Sequence, residues 1–296
     1  MNAPIRLVAF AAVLGLAFAV AALAGATIGP IGTHTAAGGH VMSAQHDTAA
    51  TGQTERMTMQ HGAMPAGGLA VSQDGYTLEP AQTYFRAGKP ATFAFRITYT
   101  RGRPVRAGYE LESERELHLI VVRRDGLYYQ HLHPTRDQSG TWSTQLTLPH
   151  AGVYRAFADF QIAGQHYTLG SDLFAPGDFE PQPLPAPQST AATVGYTVTL
   201  HSSSPNAGGE SELTFRVTRD GQLVAGLQPY LGANGHLVAL REGDLAYLHV
   251  HPDAAKLAPG EIQFMAAFPT AGPYRLYLQF KSQGMVHTVA YTMQVP

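Results

Sequence analysis

Apolar and polar residues alternate in short runs through most of the chain beyond residue 70. In residues 154–160, YRAFADF, every second side chain is apolar or small, and Arg155 and Asp159 lie between them. This period of two predicts a β-strand with one buried face. Gly, Pro and Asp turn signals interrupt such runs at intervals of about 8 to 12 residues, and no long helical period occurs here. The pattern therefore predicts an all-β fold.

The β-rich region is an internal duplication. Residues 117–134, LHLIVVRRDGLYYQHLHP, align with residues 235–252, GHLVALREGDLAYLHVHP, at a constant offset of 118. Further on, residues 149–160 align with residues 269–280 at an offset of 120. In both copies Ala-Gly-x-Tyr precedes the later strand, as in the tyrosine corner of immunoglobulin-like sandwiches. The sequence predicts two immunoglobulin-like β-sandwich domains in tandem, residues 69–176 and 194–296, with a proline-rich linker at residues 177–193.

An uncharged apolar segment follows Arg6 and extends to Ile28. Its length of about 22 residues suffices to cross a bilayer, which takes roughly 20. Residues 1–28 are therefore predicted to form a hydrophobic helix that anchors the chain in the cell membrane, with everything that follows exported. A cleaved signal peptide is the alternative, because Ala22-Leu23-Ala24 fits a cleavage site, and the protein would then be secreted.

Residues 29–68 are rich in Gly, Ala, Thr and Gln and show no periodicity, which predicts a disordered tether. Thioether sulfur suits Cu(I), whereas imidazole suits Cu(II) or Zn(II). The densest group of such side chains in the tether is Met57, Met59, His61 and Met64. We expect this group, a weaker candidate than the histidines of the β-rich region, to collect Cu(I) or mixed ions. A flexible tether with incidental histidines is the alternative.

Composition excludes several classes of function. The net charge is −2 without a long run of either sign, so no basic face is available for nucleic acid. The chain has no cysteine, which excludes thiolate zinc sites, blue copper centres and cysteine nucleophiles. Any metal must be held by His, Met, carboxylate or backbone oxygen. The 14 histidines are therefore the main chemical signal.

In the first copy the duplicated segment predicts a hairpin that gathers three histidines. Asp125-Gly126 is a two-residue turn signal, and the pairing that it sets places His118 opposite His133. Opposed residues share a face, as do residues two apart on one strand, so His131 lies on the same side. Three imidazoles in this arrangement can reach one metal ion at about 2 Å from each nitrogen.

The second copy predicts the same arrangement. Its turn signal is Gly243-Asp244, which places His236 opposite His251 with His249 beside them. The sequence therefore predicts one three-histidine site in each copy, with a coordination position left open.

Two other interpretations of these histidines stay open. A one-residue slip of the pairing would move His118 to the opposite face. The histidines can also be structural, packed among Tyr129 and Tyr247, which share the predicted face. His166 and His287 are weaker candidates for a further ligand.

The second copy resembles the exported bacterial YtkA-like and heavy-metal-associated domains, in which H-x-H-P precedes an A-G-x-Y-x-x-x-x-Q-F strand. The match falls on His249, His251 and Pro252, and in the first copy the H-x-H-P element is His131, His133 and Pro134. The resemblance implies copper handling in the cell envelope. In architecture the chain is also similar to small copper-carrying envelope sandwiches, but it lacks their methionine-rich loop.

These features predict an exported, membrane-tethered metal-binding protein that sequesters or transfers copper, as Cu(II) or Cu(I), with zinc as the second metal. Binding should weaken below about pH 6.5, where imidazole takes up a proton. The alternative is an envelope module that binds a protein partner and whose histidines are structural. An enzyme is not expected, because neither hairpin carries an acid on the histidine face and no G-x-S-x-G elbow is present.

Overall fold

A computed structural model describes residues 67–202, 205–248, 250–253 and 257–296. The predicted hydrophobic helix at residues 1–28 lies outside these residues, as do Met57, Met59, His61 and Met64 of the predicted tether. Within the described ranges, no helix is both long enough and apolar enough to cross a membrane.

The first copy folds as a sandwich of two antiparallel sheets. Its described strands are β1 (Ser72–Gln73), β2 (Tyr76–Pro80), β3 (Ala91–Tyr99), β4 (Arg103–Pro104), β5 (Tyr109–Glu110), β6 (His118–Arg123), β7 (Gln130–Leu132), β8 (Thr135–Arg136), β9 (Thr141–Leu146), β10 (Gly152–Ile162) and β11 (Gln165–Ala175). One sheet has the order β1-β2-β3-β9-β8, with β4 beside β3. The other has the order β11-β10-β6-β7, with β5 beside β10.

The second copy repeats this architecture. Its described strands are β12 (Thr190–Thr193), β13 (Tyr196–Ser202), β14 (Glu210–Arg219), β15 (Gln222–Leu223), β16 (Leu227–Gln228), β17 (Gly235–Arg241), β18 (Tyr247–Leu248), β19 (Val250–Pro252), β20 (Glu261–Ala267), β21 (Gly272–Ser282) and β22 (Met285–Val295). One sheet has the order β12-β13-β14-β20-β19, with β15 beside β14. In the other, β21 pairs with β16, β17 and β22, and β17 pairs with β18. β12 lies in the stretch that the sequence assigned to the linker.

The prediction of an all-β fold with two immunoglobulin-like sandwiches is confirmed for the described residues. Both predicted tyrosine corners are present. The hydroxyl of Tyr154 donates to the carbonyl oxygen of His150 at 2.9 Å, and that of Tyr274 donates to the carbonyl oxygen of Thr270 at 2.9 Å. Both tyrosines are fully buried, so each anchors a turn to its core.

β10 and β21 differ from the sequence prediction of one buried face. The predicted inner residues Tyr154, Ala156, Ala158 and Phe160 lie in the first core. Phe157, on the opposite face of β10, is also fully buried. The reason is that the outer face of each strand is covered by the other sandwich, which a pattern within one domain does not reveal.

The two sandwiches belong to one compact unit and pack through equivalent sheets. We call the sheet of β11-β10-β6-β7 and the sheet of β22-β21-β17-β18 the facing sheets. Their outer faces share a buried apolar cluster whose members are at most 4% exposed. It consists of Ile120, Val122 and Phe157 from the first sandwich and Val238, Leu240, Leu245, Tyr247 and Tyr277 from the second.

Equivalent aromatic residues show that this packing has approximate two-fold symmetry. Tyr129 stacks on Tyr277 with ring centroids 4.1 Å apart, and Phe157 packs against Tyr247 at 5.4 Å. The duplication makes Tyr129 the equivalent of Tyr247, and Phe157 the equivalent of Tyr277. The same aromatic contact therefore occurs twice across the interface. In one the hairpin tyrosine comes from the first sandwich, and in the other it comes from the second.

The last two residues of the predicted tether also belong to the interface. Gly67 exchanges two backbone hydrogen bonds with Tyr247 of the second sandwich, at 3.0 and 2.9 Å. The next residue, Gly68, donates to the carbonyl oxygen of Thr168 in the first sandwich at 2.8 Å and accepts from the Arg155 guanidinium at 2.6 Å. The disorder predicted up to residue 68 is thus wrong for these two residues, because both sandwiches hydrogen-bond to their backbone.

Substitution of Gly68 tests this packing. An added Cβ would lie 2.3 Å from Cδ1 of Phe157, and Gly68 has a φ of +72°. Gly102 has a nearly equal φ of +69° with no atom within 4 Å of the added Cβ, so Gly102→Ala is a matched control. We expect Gly102→Ala to lower the free energy of unfolding by about 1 to 2 kcal/mol. Gly68→Ala should cost about 1 to 3 kcal/mol more, because it overpacks the interface. Urea unfolding measures both variants, and equal losses would contradict the account.

Candidate metal centre

The hairpin of β6 and β7 has the predicted register. Leu119 pairs with Leu132, and Ile120 pairs with His131. This pairing places His131, and His133 directly after β7, on the outer face of the facing sheet beside His118. The ring centroids of His118 and His133 are 5.2 Å apart, and those of His131 and His133 are 4.7 Å apart. The predicted grouping in the first copy is confirmed.

The second sandwich adds a fourth imidazole to this group. His236 on β17 lies across the interface, with its ring centroid 5.5 Å from that of His118 and 4.5 Å from that of His131. One nitrogen atom from each of these three histidines lies within 4.8 Å of the other two. His118 and His236 occupy equivalent positions in the two copies, 118 residues apart. The group thus contains the same histidine from each copy.

Hydrogen bonds indicate the tautomers of two of the rings. Nε2 of His118 lies 3.0 Å from the carbonyl oxygen of Glu112, which can only accept, so Nε2 donates. Nδ1 of His131 lies 2.7 Å from Oε1 of Gln279, whose amide nitrogen lies 3.2 Å from the hydroxyl of Thr288. With this orientation of the amide Nδ1 of His131 donates, and in each neutral ring the other nitrogen carries a lone pair.

These two lone pairs face each other. Nδ1 of His118 and Nε2 of His131 are 2.9 Å apart. Two acceptors at this distance repel unless a cation lies between them, either a proton or a metal ion. Ligating histidines characteristically donate their second N–H to a backbone carbonyl or a side-chain oxygen, as both rings do here.

Burial opposes the proton as the shared cation. Desolvation, followed by the neighbouring imidazoles, holds the pKa of His131 well below its ordinary value of 6.5, although the bond to Gln279 acts in the opposite direction. Burial, His118 and Arg115 lower the pKa of His133 to about 4. His131 and His133 are therefore neutral at pH 7, which is the form that binds metal.

His133 shows a further feature of a ligand. Its Nε2 atom is buried and has no hydrogen-bond partner among the described residues. A buried polar atom without a partner costs free energy, and a bound cation would remove that cost.

The prediction for His251 is wrong in its pairing. His251 lies on β19 and pairs with Met265 on β20, in the sheet away from the interface. The physical reason is that β18 ends at Leu248, after which the chain crosses to the other sheet. Gln279 on β21, rather than His251, pairs with His236. His249 lies outside the described residues.

His251 nevertheless lies close to His118 and His236, because all three line one cavity. A small cavity of about 40 Å³ lies between the two sandwiches. Its polar lining includes Glu112, His118 and Asp159 from the first sandwich and His236, Tyr247 and His251 from the second. The sequence did not identify Asp159, Gln279 or the Glu112 carbonyl, because these groups come from other strands or from the other copy.

His166 is not a ligand in this arrangement. Its Nδ1 lies 2.9 Å from a Glu112 carboxylate oxygen, and its Nε2 lies 2.7 Å from Oδ1 of Asp159. Burial lowers the pKa of His166, but the carboxylates of Asp159 and Glu112 outweigh it and raise the pKa to about 10. His287 is on the other face of the equivalent strand, packed against Phe280 and Tyr196. The one-residue offset between the two histidines explains why they face opposite sides.

The sequence matches the family described as Domain of unknown function (DUF8832) twice, over residues 70–175 and over residues 191–296. No curated protein resembles the chain in sequence. The similarity to YtkA-like and heavy-metal-associated domains stays a prediction.

Several solved structures show weak similarity. The adhesin FdeC of Escherichia coli is 14% identical, with a TM-score of 0.25, over 77% of this chain and 66% of that one. Invasin, a bacterial integrin-binding protein, is 15% identical, with a TM-score of 0.24, over 77% and 41% of the two chains. The chain thus spans less than two thirds of either protein. The Lin-41 filamin domain is 13% identical, with a TM-score of 0.24, over 37% and 96%. We draw no functional conclusion from these similarities.

The charge on His166 predicts a stability difference that depends on pH. Because the pKa of His166 is higher in the folded protein than in the unfolded chain, its protonation stabilises the fold. This contribution is fully present below the unfolded pKa of about 6.5 and is lost as the pH rises through the folded pKa. We expect His166→Gln to be clearly less stable than the wild type at about pH 6, and the difference to shrink near pH 10 to 10.5. Urea unfolding at the two pH values measures it. The control is His201→Gln, which changes an exposed histidine, and a His166→Gln deficit independent of pH would contradict the assignment.

Proposed function

We propose that this chain, which belongs to the family described as Domain of unknown function (DUF8832) and carries two copies of its domain, binds a transition-metal ion between its two sandwiches. The ion is copper, as Cu(II) in this site, with zinc as the second candidate. The role is sequestration or transfer in the cell envelope. His118, His131 and His236 are the ligands, and His133 and His251 are nearby candidates for a further one.

One observation carries the proposal: Nδ1 of His118 and Nε2 of His131 lie 2.9 Å apart, while the other nitrogen of each ring lies within hydrogen-bond distance of an oxygen atom. Imidazole nitrogen suits Cu(II), Zn(II) and Ni(II). Copper is placed first because the H-x-H-P element of both copies resembles that of envelope domains for which copper handling is the implied role. The third nitrogen, from His236, lies within 4.8 Å of the other two.

The envelope location rests on the N-terminal sequence. The apolar stretch after Arg6 predicts a membrane anchor or a cleaved signal peptide, and either would export both sandwiches. In this proposal Met57, Met59, His61 and Met64 supply soft ligands for Cu(I) ahead of the folded site. The sequence has no long run of basic residues that would favour nucleic acid, and the proposed partners are the metal ion, the membrane and an envelope protein that exchanges the ion.

A second candidate is an envelope interaction module whose histidines only stabilise the interface. The bonds of His118 to the Glu112 carbonyl and of His131 to Gln279 favour it, since structural histidines make such bonds too. The two candidates differ in whether removal of these imidazoles abolishes a saturable metal site.

Metal titration distinguishes the two candidates. The protein to use comprises residues 67–296, because it retains Gly67 and Gly68 and every described strand but omits the methionines of the tether. We expect one saturable Cu(II) site in the wild type and a loss of affinity of about 100-fold or more in His118→Ala/His131→Ala.

The matched control is His150→Ala/His201→Ala, which also removes two histidines, both of them exposed. Circular dichroism verifies that each variant is folded. Equal affinity in the two double variants, or a folded wild type without a site, would overturn the proposal and favour the interaction module.

The pH dependence of this binding differs from that of free imidazole. Because the pKa of His131 lies well below 6.5, protons compete with the metal for this ligand only in more acidic solution. We expect the fall in Cu(II) affinity to lie at a lower pH than the midpoint near 6.5 expected from the sequence alone. Titration in buffers of graded pH measures this, with a short His-containing peptide as the reference. A fall centred at the peptide's midpoint would show that exposed imidazoles bind the ion.

A further inference from the structure

The candidate ligands come from both sandwiches. β6 and β7 supply His118 and His131, whereas β17 supplies His236. The second sandwich also supplies Gln279, whose amide oxygen accepts from His131 and orients its ring. Neither sandwich therefore holds the complete three-nitrogen set by itself.

The ligands lie beside the buried apolar cluster of the facing sheets. On β6, Ile120 and Val122 share the outer face with His118, and on β17, Val238 and Leu240 share it with His236. Separation of the sandwiches would expose these side chains to water and would also pull His236 away from His118. Closure of the interface and assembly of the ligand set are thus one structural event.

The site is partly enclosed by the interface. His118 is 3% exposed and lines a cavity of about 40 Å³, whereas His131 and His236 are half-buried. Gly67 and Gly68 also bridge the two sandwiches, at Tyr247 and Thr168. An ion bound to all three histidines would therefore bridge the two sandwiches as well.

From these observations we infer that a single ion is shared by the two sandwiches, so that its binding holds them together and their separation releases it. This inference rests on the proposed function. A ligand that binds only the closed form suppresses opening by a factor of 1 + [L]/Kd, which is about 100-fold at 100 Kd. By reciprocity, conditions that open the interface release the ion.

Amide hydrogen exchange of the full chain in detergent, with and without Cu(II), tests the inference. If the ion is shared, exchange should slow by about 100-fold at 100 Kd in β17 and β18 of the second sandwich as well as in β6 and β7 of the first. Because the readout is local, metal bound to the tether does not affect it.

Slower exchange confined to β6 and β7, with a saturable site still present, would overturn the shared ion and leave only metal binding by the first hairpin standing. Absence of a saturable site in the wild type would overturn both.

A variant supplies a second test. His236→Ala removes the ligand from the second sandwich but leaves all three histidines of the first hairpin. We expect it to abolish the copper-dependent slowing in β17 and β18 and to lower the affinity about 10-fold or more. His201→Ala, an exposed histidine of the same sandwich, should behave as the wild type. Wild-type affinity and wild-type slowing in His236→Ala would contradict the inference.

Discussion

The packing of the two facing sheets against each other is the contact on which the rest of the structure depends. The outer face of each sheet carries large apolar side chains. Burial of apolar surface contributes about 25 cal/mol per Å², which makes the association of the two sheets favourable. That association brings Phe157 against Tyr247 and Tyr129 against Tyr277. It also places His118 next to His236 at the edge of the apolar cluster. The polar chemistry of the molecule is thus held in place by an apolar interface.

The interface is built as a two-fold dimer interface would be, with the same patch used by both copies. Duplication has allowed the two patches to diverge. Asp159 of the first copy corresponds to Gln279 of the second, and the carboxylate holds a charged His166 while the neutral amide orients His131. A carboxylate in place of Gln279 would favour the protonated form of His131. The neutral amide of Gln279 therefore does not favour protonation of His131.

The strand pattern, the duplication and the register of the first hairpin could be predicted from the sequence, because a turn signal and a period of two fix which side chains share a face. The contact between the two copies could not be predicted, since no local pattern indicates which surface covers a sheet. One signal was present: residues 119–122 and 237–240 are uninterrupted apolar runs, as in strands buried on both faces. The pairing of His251 failed for a different reason, since β18 ends after Leu248 and the chain then changes sheet.

Anomalous diffraction from crystals grown with Cu(II) tests the central claim most directly, because it locates the ion without reference to affinity. We predict one strong peak between the sandwiches, about 2 Å from nitrogen atoms of His118, His131 and His236. A peak bonded only to histidines of the first sandwich would contradict the shared site. Peaks found only at exposed residues such as His150 and His201 would contradict the metal centre itself.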